Sequence, residues 1–261
     1  MQLLRSKWSQ PICLPYFVIG QFLLLTVSVN IRRLKLGDAP IIAAVIVDGE
    51  DKKAIAAAKR DGADILELRL DCFKKQDPAY IQRIIKDIKT AKLPLIATIR
   101  GKAEGGKAGI SEKERLRLFQ NIMPFVDAVD IELGSKKILK HVINAAHASN
   151  KKAIISYHNF KDTPEQGRLN NIIQRAKKAG GDIVKIATLA NNKKDMARLA
   201  LLTASHPDII TIAMGKTGVV SRALFPMLGS LLTYCSVTKS SAPGQLSLKD
   251  TKILLKMLKE A

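Results

Sequence analysis

Short apolar runs alternate with longer amphipathic segments along the whole chain after Gly37. The runs are rich in Ile, Val, Leu and Ala, which is typical of fully buried strands, and the segments between them are long enough to be helices. Strands joined by helix-length crossovers form a parallel sheet. The strands are predicted at residues 41–47, 64–70, 95–100, 128–132, 153–158, 182–187, 209–213 and 234–237.

Eight strand–helix units in about 220 residues are the number that forms a (β/α)₈ TIM barrel. An open, doubly wound sheet is the alternative, and it would carry a glycine-rich fingerprint at the first turn between strand and helix. The turn that follows the first strand has no such fingerprint, so we expect an α/β protein with the barrel fold. The helices are predicted at residues 51–61, 78–91, 111–123, 135–149, 164–179, 192–205, 221–232 and 247–259, with a capping box formed by Ser111 and Glu114.

The N-terminal segment differs from the rest of the chain. No charged residue occurs from Trp8 to Asn30, and most of this stretch is apolar. A single membrane anchor and a signal peptide are two interpretations of such a run, and a translation start further along the chain is a third. We therefore predict an extra N-terminal appendage at residues 1–36 and a barrel domain at residues 37–261.

The chain is strongly basic, with 43 Lys and Arg against 23 Asp and Glu and a formal net charge of +20. The excess is spread over predicted helix surfaces without interleaved aromatic residues, which disfavours a nucleic-acid-binding module and suits a small anionic substrate. The three cysteines are widely spaced, which predicts a reducing compartment and therefore the cytoplasm. The four histidines lack metal-ligand spacing, so we expect no metal.

Charged residues occur where several predicted strands end. One strand ends in charges that alternate with leucines, in the order Glu67-Leu68-Arg69-Leu70-Asp71. Because side chains alternate between the faces of a strand, the charges share one face and the leucines share the other. Lys185 lies in an apolar strand, where burial disfavours the ammonium and lowers the pKa of the amine. Such an amine is a nucleophile that forms Schiff bases with ketones and aldehydes.

Three more strands carry polar groups at the same end of the predicted barrel. They are followed by Arg100 and Glu104, by His158, and by a loop that contains Arg222. Active sites of this fold lie at the C-terminal ends of the strands, and burying so many charges without a ligand or a network would be destabilising. Together they predict a site for a small anionic carbonyl compound, in which lysine forms an imine, histidine moves protons and arginine holds a carboxylate or phosphate.

Six short motifs follow one another at these strand ends: Glu67-Leu68-Arg69-x-Asp71, Thr98-Ile99-Arg100-x₃-Glu104-Gly105-Gly106, Ser156-Tyr157-His158, Val184-Lys185, Met214-Gly215-x₅-Ser221-Arg222 and Ser241-Ala242-Pro243-Gly244-Gln245. In this order, the motifs resemble the signature of the type I 3-dehydroquinate dehydratase family. The resemblance extends from about Gly37 to Ala261, and the set is far more specific than any single motif.

The resemblance implies a homodimeric (β/α)₈ enzyme of the shikimate pathway that removes water from 3-dehydroquinate to give 3-dehydroshikimate, without a cofactor or a metal. It implies that Lys185 forms the Schiff base, that His158 is the general acid and base, and that Glu104 supports His158. The positions that bind substrate in the family correspond to Glu67, Leu68, Arg69, Arg100, Arg222, Ser241 and Gln245, and Met214 and Lys216 would line the same mouth.

Two positions depart from the family pattern. Val45 stands where some members have a substrate-contacting serine, and Tyr234 stands where the family often has phenylalanine. Two other functions remain open at this point. A lysine-dependent class I aldolase would use the same fold and the same imine, but with glycine-rich phosphate-binding loops after the last two strands. A basic, non-catalytic nucleic-acid-binding module is the other.

Overall fold

The computed structural model describes residues 29–50, 52–238 and 242–260. Two short strands, β1 (Val29–Ile31) and β2 (Leu34–Leu36), form a hairpin that precedes the eight parallel strands of the main sheet. The parallel strands are β3 (Ile42–Ile46), β4 (Ile65–Arg69), β5 (Leu95–Thr98), β6 (Ala128–Glu132), β7 (Lys152–Asn159), β8 (Ile183–Leu189), β9 (Ile209–Met214) and β10 (Thr233–Ser236).

The parallel strands form one sheet that curls into a nearly closed barrel, in the order β10-β3-β4-β5-β6-β7-β8-β9. The two ends of the sheet meet where the Leu231 amide donates to the Ile209 carbonyl oxygen at 2.9 Å. All neighbouring strands in the sheet are parallel, as helix-length crossovers require. The predicted (β/α)₈ barrel is confirmed.

Eight helices follow the barrel strands within the described residues: α1 (Lys52–Arg60), α2 (Pro78–Ile88), α3 (Glu112–Ile122), α4 (Leu139–Ala148), α5 (Gln166–Lys178), α6 (Lys193–Ala204), α7 (Ser221–Met227) and α8 (Leu248–Glu260). The predicted capping box between Ser111 and Glu114 begins α3. Helix α7 ends five residues before its predicted end, because Gly229 takes a left-handed backbone (φ +107°) that turns the chain toward β10. Across the described ranges, no helix is long and apolar enough to cross a membrane.

The alternation of side chains along the strands divides the apolar core in two. One face of each strand packs outward against the helices, as Leu66 and Leu68 do beside Ile81 and Ile85 of α2. The other face points into the barrel, where residues such as Ile65, Ile96, Ile154, Ile183 and Ile210 fill its lower part. The inward positions nearer the C-terminal ends of the strands are polar, and these form the site described below.

The hairpin of β1 and β2 packs on the N-terminal end of the barrel. Ile31 and Leu36 are fully buried in the inner core, and Arg32 lies 3.7 Å from Asp127, just before β6. Residues 29–36 therefore belong to the packed barrel instead of to a separate appendage, since they remove the apolar barrel floor from water. Residues 1–28, with the anchor and signal interpretations, lie outside the described residues, and the division stays a prediction there.

Candidate active site

A cavity of about 280 Å³ opens at the C-terminal ends of the barrel strands. Part of its lining is apolar, with Val45 from β3 and Ile212 and Met214 from β9. Its polar lining consists of Glu67, Arg69, Arg100, Glu104, Lys107, His158, Lys185, Arg222 and Gln245.

Lys185 points from β8 into the barrel, and its side chain is only 5% exposed. Its Nζ donates to Asp130 Oδ2 at 2.9 Å and to Glu67 Oε1 at 3.3 Å, and it lies 4.0 Å from the centroid of the Tyr234 ring. The lysine nitrogen is therefore held at a fixed place, with proton acceptors in direct contact.

Asp130 lies fully buried in β6 and connects two cations. Its Oδ1 is 2.9 Å from Arg100 Nη2 and accepts a hydrogen bond from Ser156 Oγ at 2.6 Å, while Oδ2 accepts from Lys185. Burial acts to raise the pKa of Asp130, but the charges of Arg100 and Lys185 outweigh burial and hold that pKa well below its usual range. The Asp130 carboxylate therefore remains ionised.

His158, on the strand next to that of Lys185, and Glu104, in the loop after β5, form a largely buried pair in the cavity. Glu104 Oε2 lies 3.0 Å from His158 Nδ1 and accepts a hydrogen bond from the His158 backbone amide at 2.8 Å, so Nε2 is the ring nitrogen left for a ligand. Burial, assisted by the charges of Arg100 and Lys185, lowers the pKa of His158 well below its usual value. Burial also raises the pKa of Glu104 to about 8, against the effect of Arg100. Both shifts disfavour charge within the pair.

A chain of buried ion pairs fixes the loop that carries the glutamate of this pair. Arg100 Nη1 donates to Glu132 Oε1 at 3.1 Å, and Arg115 of α3 donates to Glu132 Oε2 at 2.6 Å. The amide of Gly101 also donates to Glu132, at 2.8 Å. The loop folds back so closely that a Cβ on Gly106 would lie 1.9 Å from the Arg100 carbonyl oxygen, so this turn requires glycine.

The two remaining arginines of the cavity differ in their partners. Arg69 makes a bidentate pair with Asp71, with distances of 2.9 and 2.8 Å. Arg222 is buried and has no ion-pair partner among the described residues; its Nη2 reaches only the Pro243 carbonyl oxygen at 3.4 Å, and its Nε has no hydrogen-bond partner there. Burial lowers the pKa of Arg222 to about 10, so it stays charged at neutral pH. A buried guanidinium without a counter-ion is an anion-binding group.

Most of the predicted site residues line this one cavity: Glu67, Arg69, Arg100, Glu104, His158, Lys185, Arg222 and Gln245. Leu68 does not. Its side chain is fully buried in the outer core, because it lies on the helix-facing side of β4, so the prediction that Leu68 binds the substrate can involve only its backbone. Met214 lines the cavity, whereas the exposed Lys216 is not part of the lining. Ser241 lies outside the described residues.

The acidic residues of β6 are not among the site residues predicted from the sequence. Asp130 and Glu132 alternate with apolar residues in a predicted buried strand, as the charges of β4 do, and this alternation is the signal that could have identified them. Ser156 of β7 was part of a motif but had no assigned role, and it donates a hydrogen bond to Asp130. Tyr234, identified only as a departure from a family pattern, lies against the lysine nitrogen.

The arrangement suits imine chemistry on a small carbonyl compound that carries a carboxylate. An amine lies among carboxylates that can exchange protons with it, and an imidazole nitrogen faces the same cavity. The guanidinium of Arg222, which has no ion-pair partner among the described residues, also lines it. No group of three or more His, Cys, Asp or Glu residues in the described ranges is arranged to hold a metal ion.

Comparison with known proteins gives one family. The family model described as type I 3-dehydroquinase matches residues 44–261. The 3-dehydroquinate dehydratase of Methanococcoides burtonii is 37% identical over 233 residues, which are 88% of this chain and 99% of that protein. The corresponding protein of Thermodesulfovibrio yellowstonii is 40% identical over 230 residues, which are 85% of this chain and 97% of that protein.

Solved structures give the same result. The crystal structure of the 3-dehydroquinate dehydratase from Aquifex aeolicus VF5 has a TM-score of 0.77 and 36% identity, and covers 85% of this chain and 100% of that one. A type I 3-dehydroquinate dehydratase from Clostridium difficile, with covalently modified comenic acid, has a TM-score of 0.81 and 29% identity, and covers 90% of this chain and 98% of that one.

The raised pKa of Glu104 predicts a pH-dependent cost in stability. A carboxyl group with a pKa of about 8 in the folded state and an ordinary value of 4.5 lowers the free energy of unfolding as pH rises between these values. Glu104→Gln removes the ionisation, so the variant should gain stability relative to the original chain between pH 5 and pH 9. Urea unfolding of both proteins at the two pH values measures this, and an equal difference at both would contradict the assignment.

Proposed function

The chain belongs to the type I 3-dehydroquinase family, and from that membership we propose the chemical roles of the residues around its cavity. The protein is a 3-dehydroquinate dehydratase, a hydro-lyase of the shikimate pathway that eliminates water from 3-dehydroquinate to give 3-dehydroshikimate. The aldolase and the nucleic-acid-binding module are thereby set aside. The observation that carries the proposed roles is that Lys185, His158 and Arg222 face one cavity.

Lys185 is the Schiff-base residue in this proposal. Its amine attacks the C3 ketone of the substrate after passing a proton to a neighbouring group, and the carbonyl oxygen leaves as water as the C=N bond forms. The resulting iminium draws electrons from the adjacent C2–H bond. Two observations support the role. Asp130 and Glu67 fix the position of Nζ. The other cavity-lining residues of β8 and β9 are small or apolar, such as Ala187 and Ile212.

His158 is the general base and then the general acid. Its Nε2 removes the C2 proton, the C–H electron pair forms the enamine, and the enamine then expels the C1 hydroxyl, which takes the proton from His158 and leaves as water. Nδ1 must hold a proton for Nε2 to be free, and an ionised Glu104 at 3.0 Å favours that tautomer. Because the pKa of Glu104 is about 8, the fraction of His158 with the proton on Nδ1 and a free Nε2 increases as pH rises toward 8.

The other polar residues of the cavity bind the substrate in this proposal. Arg222 holds the carboxylate, because it is the buried guanidinium that lacks a counter-ion among the described residues. The hydroxyl groups are bound by the opposite wall and by the loop after β10, through Glu67, Arg69, Arg100, Ser241 and Gln245. Glu67 and Gln245 line the same cavity as Lys185, which supports their part in this set.

We also propose that the protein is a homodimer, paired through an apolar face of α7 and α8. Leu224 and Met227 of α7 and Leu254, Met257 and Leu258 of α8 are exposed, and the two helices pack side by side. An exposed apolar face of this kind on a monomer marks an interaction surface. Sedimentation should give twice the 28.6 kDa chain mass, and Leu224→Glu should shift it toward one chain. A monomeric original protein at micromolar concentration would contradict the proposal.

The proposed roles predict different kinetic defects in two variants. The conjugated enone of the product absorbs in the ultraviolet, so turnover can be followed directly. His158→Ala should lower kcat by about 10²–10⁴-fold, since a positioned acid and base is lost. Arg222→Ala should mainly raise KM, since a hydrogen bond to a charged group is worth about 1.5–3 kcal/mol.

The assay has two informative controls. Lys216→Ala removes an exposed lysine of the same region and should leave both constants unchanged. An analogue of the substrate without the carboxylate should bind equally to the original protein and to Arg222→Ala. A His158→Ala protein with normal kcat would remove histidine from the mechanism, and absence of enone formation by the original protein would refute the function.

A further inference from the structure

Asp130 is anchored so that it cannot follow movements of the lysine. Its Oδ1 is held by Arg100 Nη2 at 2.9 Å, just after β5, and by Ser156 Oγ at 2.6 Å on β7, so the anchors come from both sides of β6. Its Oδ2 is 2.9 Å from Lys185 Nζ. The carboxylate therefore keeps one oxygen directed at the reacting nitrogen at every stage of a reaction on that nitrogen.

The number of N–H donors on the lysine nitrogen changes when an imine forms. The ammonium has three N–H groups and uses two of them, toward Asp130 at 2.9 Å and Glu67 at 3.3 Å. A protonated imine has only one. Asp130 is the nearer acceptor and the more rigidly held one, so the single N–H stays with Asp130 and sets the plane of the C=N bond.

We propose that Asp130 is a catalytic residue, the fixed counter-ion for a positive charge that moves from the imine nitrogen of Lys185 to the ring of His158. The inference rests on the dehydratase mechanism proposed above. When His158 takes the C2 proton, the C–H electron pair forms C2=C3 and the C=N π electrons return to nitrogen. The iminium becomes a neutral enamine while the imidazole becomes an imidazolium, so the net charge of the cavity does not change.

Asp130 acts electrostatically on both positions that the charge occupies. It hydrogen-bonds Lys185 Nζ directly, and its charge raises the pKa of His158 against burial and against the charges of Arg100 and Lys185. Once the charge has left Lys185, the ammonium-like repulsion on His158 disappears while the attraction of Asp130 remains. A preorganised charge of this kind stabilises the proton transfer without reorganisation of the site.

The test is Asp130→Asn, which keeps the shape of the side chain and removes its charge. We expect a kcat about 10²–10³-fold lower, as for loss of one preorganised electrostatic partner. We also expect an increased deuterium isotope effect on kcat with substrate deuterated at C2, because the step that moves charge to His158 becomes limiting. The acidic limb of the kcat profile should also move to lower pH, because the charge of Asp130 raises the pKa of both His158 and Glu104.

Ser156→Ala is the matched control, since it removes one anchor of Asp130 but leaves the charge. Its kcat should fall by less than about tenfold, the cost of one neutral hydrogen bond, with an unchanged isotope effect. Should Asp130→Asn fail to fold, Asp130→Glu serves as the second variant. It keeps the charge but displaces it from Nζ, and its isotope effect should also increase.

Three outcomes would overturn the inference. A loss confined to KM with an unchanged isotope effect would mean that Asp130 only holds Arg100. An unchanged pH profile would mean that the charge of Asp130 does not act on His158. An unchanged isotope effect in a folded Asp130→Glu protein would likewise mean that Asp130 only holds Arg100. In each of these cases the original protein still forms the enone, so the proposed function stands. If the original protein formed no enone, the proposed function itself would be refuted.

Discussion

The ion pair of Lys185 and Asp130 inside the barrel is the interaction on which the rest of the site depends. Burying either charge without a partner would be costly. At 2.9 Å, each charge instead compensates the burial of the other, and Arg100 adds a second cation that keeps the aspartate ionised. A buried pair of this kind contributes little net stability. Its value lies in fixing a reactive nitrogen in a defined electrostatic environment.

The fold supplies this environment through the inward positions of adjacent strands. Asp130, Ser156 and Lys185 occupy β6, β7 and β8, and Ser156 is in register with Lys185. Glu132 extends the network outward to Arg115 on α3, which connects the loop that carries Glu104 to a helix. The inward positions lower in the barrel are apolar, and the N-terminal hairpin covers them. Stability and chemistry are thus divided between the two ends of one barrel.

The sequence was sufficient to predict the barrel, from its eight strand–helix units, and most of the cavity, from polar residues at the strand ends and from the family resemblance. The charges of β4 could be assigned to one face, and Lys185 could be identified as an isolated cation in an apolar strand. The partners of Lys185 could not be predicted in the same way, since Asp130 and Glu67 are 55 and 118 residues away in the chain. Only the closure of the sheet brings them together. The apolar strand alone therefore does not describe the environment of Lys185, which also contains two carboxylates.

Residues 29–36 show a further limit of prediction from the sequence, and Leu68 shows where a family motif and the alternation along a strand disagree. Leu68 belongs to a motif whose neighbours line the cavity, but the two-residue period of a strand turns its side chain toward the helices. The hairpin follows a long apolar stretch and was grouped with it, although its alternation of buried and exposed residues matches a barrel floor. In both cases the face on which a residue lies decides its role more than the motif or segment that contains it.

The central claim is that the buried nitrogen of Lys185 becomes covalently bonded to the substrate. The most direct measurement is borohydride reduction of the protein in the presence of 3-dehydroquinate, followed by mass spectrometry of its peptides. Reduction of an imine should add the mass of the bound ligand to the peptide that contains Lys185, and Lys185→Ala should carry no adduct. An unmodified protein that nevertheless turns over substrate, or an adduct on Lys107 at the rim of the cavity, would contradict the account.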